Sequence, residues 1–192
     1  QSPVSMKTHH DLTQGNILRQ MVAMGIPMLA GTFSMTAFNL ADTWFVSRLG
    51  LRELAAMSFT FPVAMVLGSV AMALGTGTSV VVSQMLGEGR RDQARRTATD
   101  CLLLTLVLVE LLGLGLLLPM RPLLRLMNAP ADVLPLSHGY MACYLPFAGL
   151  AFLAMPANAV LRSAGDTRWP SFVMICGALL NCVLDPILIF GF

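Results

Sequence analysis

Long apolar segments dominate the pattern of hydrophobic and polar positions along this chain. Five runs cover about 17–46, 54–85, 97–119, 133–161 and 169–192, separated by short polar connectors. Each run is near or above the roughly 20 residues that an α-helix needs to cross a bilayer. No two-residue alternation typical of membrane β-strands is present, so the pattern predicts an all-α, polytopic integral membrane protein with about five spans.

Basic residues are distributed unevenly between the two sides that this pattern defines. Eight of the twelve Lys and Arg residues lie on one side. They are in the N-terminal tail (1–16), at its junction with the first apolar run, and in the connectors 86–96 and 162–168. The connectors 47–53 and 120–132 carry the other four. Because cytoplasmic loops are enriched in Lys and Arg, the asymmetry predicts a cytoplasmic N-terminus. Trp44 and Trp169 lie near opposite ends of their runs, where interfacial aromatic anchors belong.

Composition supports a lipid environment and excludes several classes of function. Hydrophobic residues make up 56% of the chain and charged residues only 11%, with a mean hydropathy of +0.72. A soluble domain carries about 25% charged residues. The net charge of +2 offers no strongly basic surface for nucleic acid. The four cysteines lie inside apolar runs without a CxxC pair, and we interpret them as free thiols rather than disulfide or metal ligands.

Two aspartates inside the apolar runs are the first candidates for function, because ionisable residues at membrane depth are costly. Asp42 lies in the first run and Asp185 in the fifth, and these two helices run in the same direction. Both carboxylates are therefore expected in the outward half of the membrane, with Asn181 on the same helix face as Asp185. Two carboxylates in one poorly solvated pocket do not both ionise readily, which suits a proton-coupled carrier. The same oxygens would also suit a Na⁺ site at Asp42, Asn181 and Asp185.

Simpler interpretations of these acidic residues stay open at this point. Asp42 could be an interfacial residue beside Trp44, and Asp185 could mark a helix end because Pro186 follows it. Glu110 lies near the middle of the third run, with no polar side chain three or four residues away. It could be protonated against lipid or paired across a helix interface.

Prolines and small residues interrupt the apolar runs. Each internal proline removes a backbone donor and predicts a kink, and broken helices around a central cavity are typical of secondary transporters. Gly75-Thr76-Gly77 predicts close helix packing rather than a phosphate loop, since strand and lysine are both missing. The prolines concerned are Pro27, Pro62, Pro146 and Pro156.

Several motifs, taken in their order and spacing, resemble the multidrug and toxic compound extrusion (MATE) family from about residue 13 onward. They are Ile26-Pro27, Leu40-Ala41-Asp42-Thr43-Trp44-Phe45-Val46, Leu49-Gly50, Leu54-Ala55-Ala56, Gly75-Thr76-Gly77 leading to Ser83-Gln84 and Gly87, Leu161-Arg162-Ser163-Ala164-Gly165-Asp166-Thr167, and Leu180-Asn181-Cys182-Val183-Leu184-Asp185-Pro186.

The resemblance implies a fold of twelve helices in two six-helix lobes. This chain would supply helices one to five of the N-terminal lobe, stopping before helix six, with a C-terminal lobe as its missing partner. It implies a transporter rather than an enzyme, in the bacterial inner (plasma) membrane. The expected activity is efflux of cationic or amphipathic drugs in exchange for H⁺ or Na⁺, with no cofactor beyond the coupling ion.

The resemblance also implies roles for particular residues. Asp42, Asn181 and Asp185 match the cation-responsive pocket of the DinF-like branch, and an aspartate at 185 favours that branch over the NorM-like one. Tyr140 and Asn158 match further polar positions of this pocket. Pro27 matches the proline at which helix one is proposed to bend.

Two other functions compete with drug efflux. A lipid-linked oligosaccharide flippase of the same superfamily is the nearer alternative, but it would be expected to line its cavity with basic residues, and no Arg or Lys lies within a predicted helix core. An intramembrane aspartyl protease would use Asp42 and Asp185 as a dyad. Ala41 and Leu184 precede them where that class has Tyr and Gly, which argues against a protease.

Overall fold

The computed structural model describes residues 17–190, and this part of the chain is almost entirely helical, without strands. The predicted cytoplasmic tail 1–16 and residues 191–192 lie outside the described residues. The predicted all-α membrane architecture is confirmed. The helices are α1 (Ile17–Leu49), α2 (Leu51–Gly87), α3 (Arg91–Leu117), α4 (Met120–Leu126), α5 (Leu134–Tyr144), α6 (Ala148–Phe152), α7 (Ala154–Ser163) and α8 (Arg168–Phe190), with a 3₁₀ turn at Leu145–Phe147 between α5 and α6.

Four segments of the described chain are long and apolar enough to cross a membrane. They are Leu51–Gly87, Arg91–Leu117, Leu134–Ser163 and Arg168–Ile187. Helix α1, with 33 residues, is also long enough to span a membrane. Its hydroxyl groups are satisfied within the helix, as Thr32 and Thr36 donate to the carbonyls of Met28 and Thr32 at 2.9 and 3.1 Å. These hydroxyl groups can therefore lie in an apolar environment, because their hydrogen bonds are made within α1.

The connectors are shorter than the sequence predicted. Where a connector was expected at 86–96, α2 continues to Gly87 and α3 begins at Arg91, leaving a tight turn in which Gly89 adopts a φ of 77°. Arg, Gln and Ala are strong helix formers, so the helix extends past the apolar run. The connector predicted at 120–132 contains α4, whose Met120 and Leu124 are fully buried.

The fourth apolar run is broken rather than continuous. A single helix was expected over 133–161, but α5 ends at Tyr144 and the chain passes through the 3₁₀ turn before α6 and α7 begin. Pro146 lies in that turn, and Phe147 has φ −122° and ψ 10°, outside the helical region. Since proline cannot donate to the preceding turn, the break falls where the sequence placed a kink.

Other prolines do not end their helices. Pro27 and Pro62 lie inside continuous α1 and α2. Helix α8 continues through Pro186 to Phe190, so the interpretation of Asp185 as a helix end is wrong. Membrane helices tolerate proline because neighbouring groups and small backbone adjustments satisfy the freed carbonyl.

The connector between α7 and α8 combines a helix stop with a helix start. Gly165 adopts a φ of 82°, the left-handed conformation that commonly terminates helices. The Oδ1 atom of Asp166 then accepts the backbone N–H groups of Arg168 and Trp169 at 3.1 and 3.2 Å. This is the N-cap arrangement, worth about 1 kcal/mol. One of the motifs that carries the family resemblance is therefore a turn that reverses the chain.

The helices form two groups that pack unequally. The buried apolar core lies within the α2–α7 group and consists of Val63, Leu67, Ala71, Val109, Met120, Leu124, Met141, Leu145 and Ala148. Helices α1 and α8 pack mainly along each other and touch α2 and α7 more lightly. Gly31 is buried in that contact, where an added Cβ would lie 3.4 Å from the Cα of Ser171. We call these the core group and the α1–α8 pair.

The predicted small-residue packing is confirmed at Gly75. An added Cβ there would lie 2.8 Å from the Cα of Pro156, so α2 and α7 meet almost backbone to backbone. Gly77, two residues later on α2, has nothing within 4 Å of the same position. The two glycines are therefore a matched pair, one in contact and one open.

We expect Gly75→Ala to destabilise the full-length protein by about 1–3 kcal/mol, because the overpacked Cβ meets backbone rather than a movable side chain. Gly77→Ala, its control, should be neutral or stabilise by roughly 0.5–1 kcal/mol through helix propensity. Thermal unfolding of the purified proteins in detergent measures both. Equal shifts for the two variants would contradict the close α2–α7 contact.

Candidate functional site

The two aspartates lie within electrostatic range of each other because α1 and α8 run parallel. Gly31 of α1 lies opposite Ser171 of α8. Asp42 stands 11 residues beyond Gly31 and Asp185 stands 14 residues beyond Ser171. At 1.5 Å per residue these offsets are about 16 and 21 Å, so the carboxylates differ in depth by about one turn. Both are half-buried, and the charge of Asp185 acts on Asp42.

Asp42 is not part of the aromatic cluster at the end of α1. Trp44 is 52% exposed, and the guanidinium of Arg48 lies 4.7 Å from the centre of its ring. Residues two apart on a helix point about 200° away from each other. Asp42 therefore points toward α8 while Trp44 faces outward, which disfavours the interpretation of Asp42 as Trp44's interfacial neighbour.

Asn181 is the hydrogen-bond partner of Asp185. The two residues are one turn apart on α8, and the carboxamide lies 2.5 Å from both carboxylate oxygens. Only the orientation with nitrogen toward the carboxylate produces hydrogen bonds, so we assign Asn181 as the donor. Its carbonyl oxygen is then directed away from Asp185.

Tyr140 approaches Asp42 from the other group of helices. It lies on α5, which packs against α2 and α4, whereas Asp42 belongs to the α1–α8 pair. Even so, Tyr140, whose residue surface is 52% exposed, lies within electrostatic range of Asp42. The phenol and the carboxylate are thus near each other at the boundary between the two groups.

A second tyrosine, Tyr144, was not predicted from the sequence. It packs against Tyr140 and Phe152, and we call these three rings the aromatic wall. The rings of Tyr140 and Tyr144 are stacked, with centroids 6.0 Å apart and an interplanar angle of 15°. Phe152 of α6 meets Tyr144 edge-on at 6.4 Å. The spacing of the two tyrosines could have predicted this pair. They are four residues apart in the sequence, which places them on one helix face.

Two of the predicted site residues are not joined to this group. Asn158 lies half-buried on α7, and among the described contacts it makes no hydrogen bond to Asp42, Asn181 or Asp185. Pro27 is 15 residues before Asp42, about 22 Å along the continuous helix α1. An effect of Pro27 on the carboxylates would therefore have to pass along α1.

Glu110 stands apart from the aspartates and has a partner of its own. Its Oε2 atom accepts the backbone N–H of Gly149 at 2.9 Å. Of the two alternatives open for this residue, pairing across a helix interface is the one observed. No sequence pattern pointed to the partner, because it is a backbone group 39 positions further along the chain.

Chemically, Asp42, Asp185 and Tyr140 supply oxygen atoms to this group, while Asn181 supplies an N–H donor to Asp185. Carboxylates take up protons, and carboxylate and phenol oxygens can bind hard cations. Two carboxylates in mutual electrostatic range favour uptake of at least one positive charge between them. The arrangement is suited to binding a small cation beside an aromatic wall.

Comparisons with known proteins point to one family. A family model described as MatE matches residues 27–187. The chain is 42% identical over 187 residues to the FAD transporter of Shewanella oneidensis, covering 97% of this chain and 41% of that protein. It is 29% identical over 184 residues to the probable multidrug resistance protein YpnP of Bacillus subtilis, covering 94% of this chain and 41% of that protein.

The fold is also similar to a solved structure. The crystal structure of the Vibrio cholerae MATE transporter VcmN in the bent form has a TM-score of 0.85 and 34% identity, covering 90% of this chain and 40% of that chain. The chain thus spans about 40% of the length of the relatives it matches.

The Asn181–Asp185 hydrogen bond can be tested by a double-mutant cycle. We expect Asn181→Leu to destabilise the protein by about 1–2 kcal/mol, because it leaves a carboxylate without its donor. In an Asp185→Leu background the same change should cost much less, giving a coupling energy of about 1 kcal/mol or more. Thermal unfolding of the four proteins in detergent provides the values. Strictly additive effects would show that the two side chains do not interact.

Proposed function

Because this chain belongs to the MatE family of membrane transporters, we propose that it forms the N-terminal lobe of an antiporter that exports organic solutes in exchange for H⁺ or Na⁺. The observation that carries the proposal is that Asp42 lies within electrostatic range of Asp185 on the parallel helix α8 and of Tyr140 on the core group. In this proposal the protein lies in the inner membrane, surrounded by lipid, with its N-terminus in the cytoplasm.

Ion binding would work through the charge of the two carboxylates. When both are ionised they attract a cationic solute, and uptake of H⁺ or Na⁺ removes that attraction and favours release. A unit charge 4 Å from a carboxylate is worth about 4 kcal/mol at an effective dielectric constant of 20. Moving a two-state equilibrium from 1:99 to 99:1 requires about 5.5 kcal/mol. Two carboxylates therefore suffice in magnitude to switch a cationic solute between bound and released states.

The conformational part of the cycle would use the weak contact between the two helix groups. Helices α1 and α8 pack on each other more than on the core group, so they can shift together. Pro27 is the position at which α1 would bend, as VcmN has been crystallised in a bent form. An ion can move this equilibrium only as far as its affinity differs between the two conformations.

We expect Asp42→Asn and Asp185→Asn each to abolish ion-driven efflux by the full-length protein in proteoliposomes, because neither amide carries the negative charge that H⁺ or Na⁺ would neutralise. Efflux is measured under a pH gradient and, separately, a Na⁺ gradient, which identifies the coupling ion. Asp100→Asn, an exposed carboxylate on α3, is the matched control and should transport at the wild-type rate. Efflux that survives both aspartate substitutions would place coupling outside this lobe.

A second candidate substrate is FAD rather than cationic drugs. The observation favouring it is the 42% identity to the Shewanella oneidensis FAD transporter, against 29% to the multidrug relative. The stacked Tyr140 and Tyr144 would suit flat rings such as isoalloxazine or adenine. No Arg or Lys lies in mid-helix among the described apolar spans, so this lobe would contact the rings and not the pyrophosphate.

The substrate is decided by measuring FAD and ethidium fluxes in the same proteoliposomes. For whichever compound is carried, Tyr140→Ala should raise KM roughly three- to tenfold, since a stacked aromatic pair is worth about 0.5–1.5 kcal/mol. Tyr140→Phe keeps the ring and should retain the wild-type KM. An unchanged KM for Tyr140→Ala would rule out stacking. Transport of a lipid-linked oligosaccharide with neither compound moved would favour the flippase alternative.

A further inference from the structure

A carboxylate that the proposed coupling mechanism does not use holds in place the span Leu134–Ser163, which is broken at the 3₁₀ turn and which we call the fourth span because α1 precedes the other three. Glu110 lies near the middle of the apolar part of α3, which follows Asp100, and its Oε2 atom accepts the N–H of Gly149 at 2.9 Å. A charged side chain at this depth is expensive and is retained only where it has a partner. The partner here is a backbone amide rather than another side chain.

The break in the span explains why this amide needs a partner. In a continuous helix the N–H of Gly149 would donate to the carbonyl of Leu145, four residues earlier. At the 3₁₀ turn that carbonyl instead accepts the N–H of Ala148. An unsatisfied N–H in the apolar part of a membrane costs several kcal/mol. The carboxylate of Glu110 therefore takes the place of the missing backbone acceptor.

Two glycines bring the broken segment close enough for this hydrogen bond. An added Cβ at Gly149 would lie 2.5 Å from the carbonyl oxygen of Leu106 and 3.0 Å from the Oε2 of Glu110. One at Gly113 would lie 2.9 Å from the carbonyl oxygen of Leu145. Helix α3 thus meets the break at backbone distance on both sides of Glu110.

The break also sets the position of the aromatic wall. Tyr140 and Tyr144 stand on α5 just before it, and Phe152, which meets Tyr144 edge-on, stands on α6 just after it. Rotation of α5 relative to α6 would separate these rings and move Tyr140 away from Asp42. The point on α3 that holds the break is therefore also the point that aligns the wall.

We propose that Glu110 is a positioning residue, which accepts the Gly149 N–H to fix the break in the fourth span and thereby places Tyr140 opposite Asp42. Its role depends on an oxygen acceptor at this position and not on a negative charge or on proton release. The structural part stands on the described contacts alone, whereas the effect on transport rests on the proposed function.

Two substitutions separate the acceptor from the charge. Glu110→Gln keeps an oxygen that can accept the Gly149 N–H, whereas Glu110→Leu has similar size and no acceptor. Hydrogen–deuterium exchange of the peptide 145–153, measured by mass spectrometry on the full-length protein in detergent, reports the amide directly. We expect Glu110→Leu to exchange roughly tenfold faster or more, since a hydrogen bond to a charged group is worth about 1.5–3 kcal/mol. Glu110→Gln should exchange more slowly than Glu110→Leu and within about tenfold of wild type, since a neutral acceptor still contributes about 0.5–1.5 kcal/mol.

Transport by the same proteins tests the consequence for the wall. Glu110→Leu should raise the KM for the carried solute, whereas Glu110→Gln should keep it close to the wild-type value. Asp100→Asn, on the exposed part of the same helix, should leave the KM unchanged. Gly149→Ala offers an independent variant, because it displaces the segment while keeping the carboxylate, and should raise both exchange and KM.

Three results would overturn the inference. Unchanged exchange in Glu110→Leu would show that the carboxylate does not protect the amide. Equal loss of transport in Glu110→Gln and Glu110→Leu, with exchange preserved in the former, would make Glu110 a titrating residue. Faster exchange of the peptide 145–153 in Glu110→Leu with an unchanged KM would show that fixing the break does not position the aromatic wall. If the wild-type protein moves none of the solutes tested, the proposed function fails, while exchange still decides the role of Glu110.

Discussion

A backbone amide in the apolar part of a bilayer has no water to bind, so its partner must come from the protein itself. This constraint explains why the described chain is helical almost throughout and why its polar side chains fold back on their own helices. Thr32 and Thr36 donate to carbonyls of the preceding turn of α1. At the 3₁₀ turn of the fourth span the helical backbone hydrogen bonds are interrupted. There the carboxylate of Glu110, on a neighbouring helix, supplies the acceptor.

The division into a core group and an α1–α8 pair gives the site its character. Apolar packing is concentrated in the core group, so the boundary between the groups is where charged and polar side chains can be placed at least cost to stability. Asp42 and Asp185 stand on one side of this boundary and Tyr140 on the other. A weakly packed boundary is also the place where relative movement breaks the fewest contacts, as the proposed alternating access would require.

Much of this arrangement could be predicted from residue spacing. The apolar runs identify the spanning helices, and the parallel direction of the first and fifth follows from counting crossings. The pairing of Asn181 with Asp185 follows from their four-residue offset on one helix. The expected helix end at Pro186 failed because proline removes a hydrogen bond from the preceding turn without stopping a membrane helix, and α8 continues. The prediction of a connector over the whole of 86–96 was wrong because good helix formers extend a helix beyond its apolar run.

The sequence by itself determined the membrane class, the family and which carboxylates lie within apolar runs, because hydropathy and the order of local motifs are properties of the chain alone. Only the tertiary structure decided that Tyr144 and Phe152 join Tyr140 in one wall, and that Glu110 is bound to Gly149. These are contacts between separate helices, or between a side chain and a distant backbone amide. Helix periodicity specifies which side of one helix a residue occupies, but it contains no information about the neighbour that faces it.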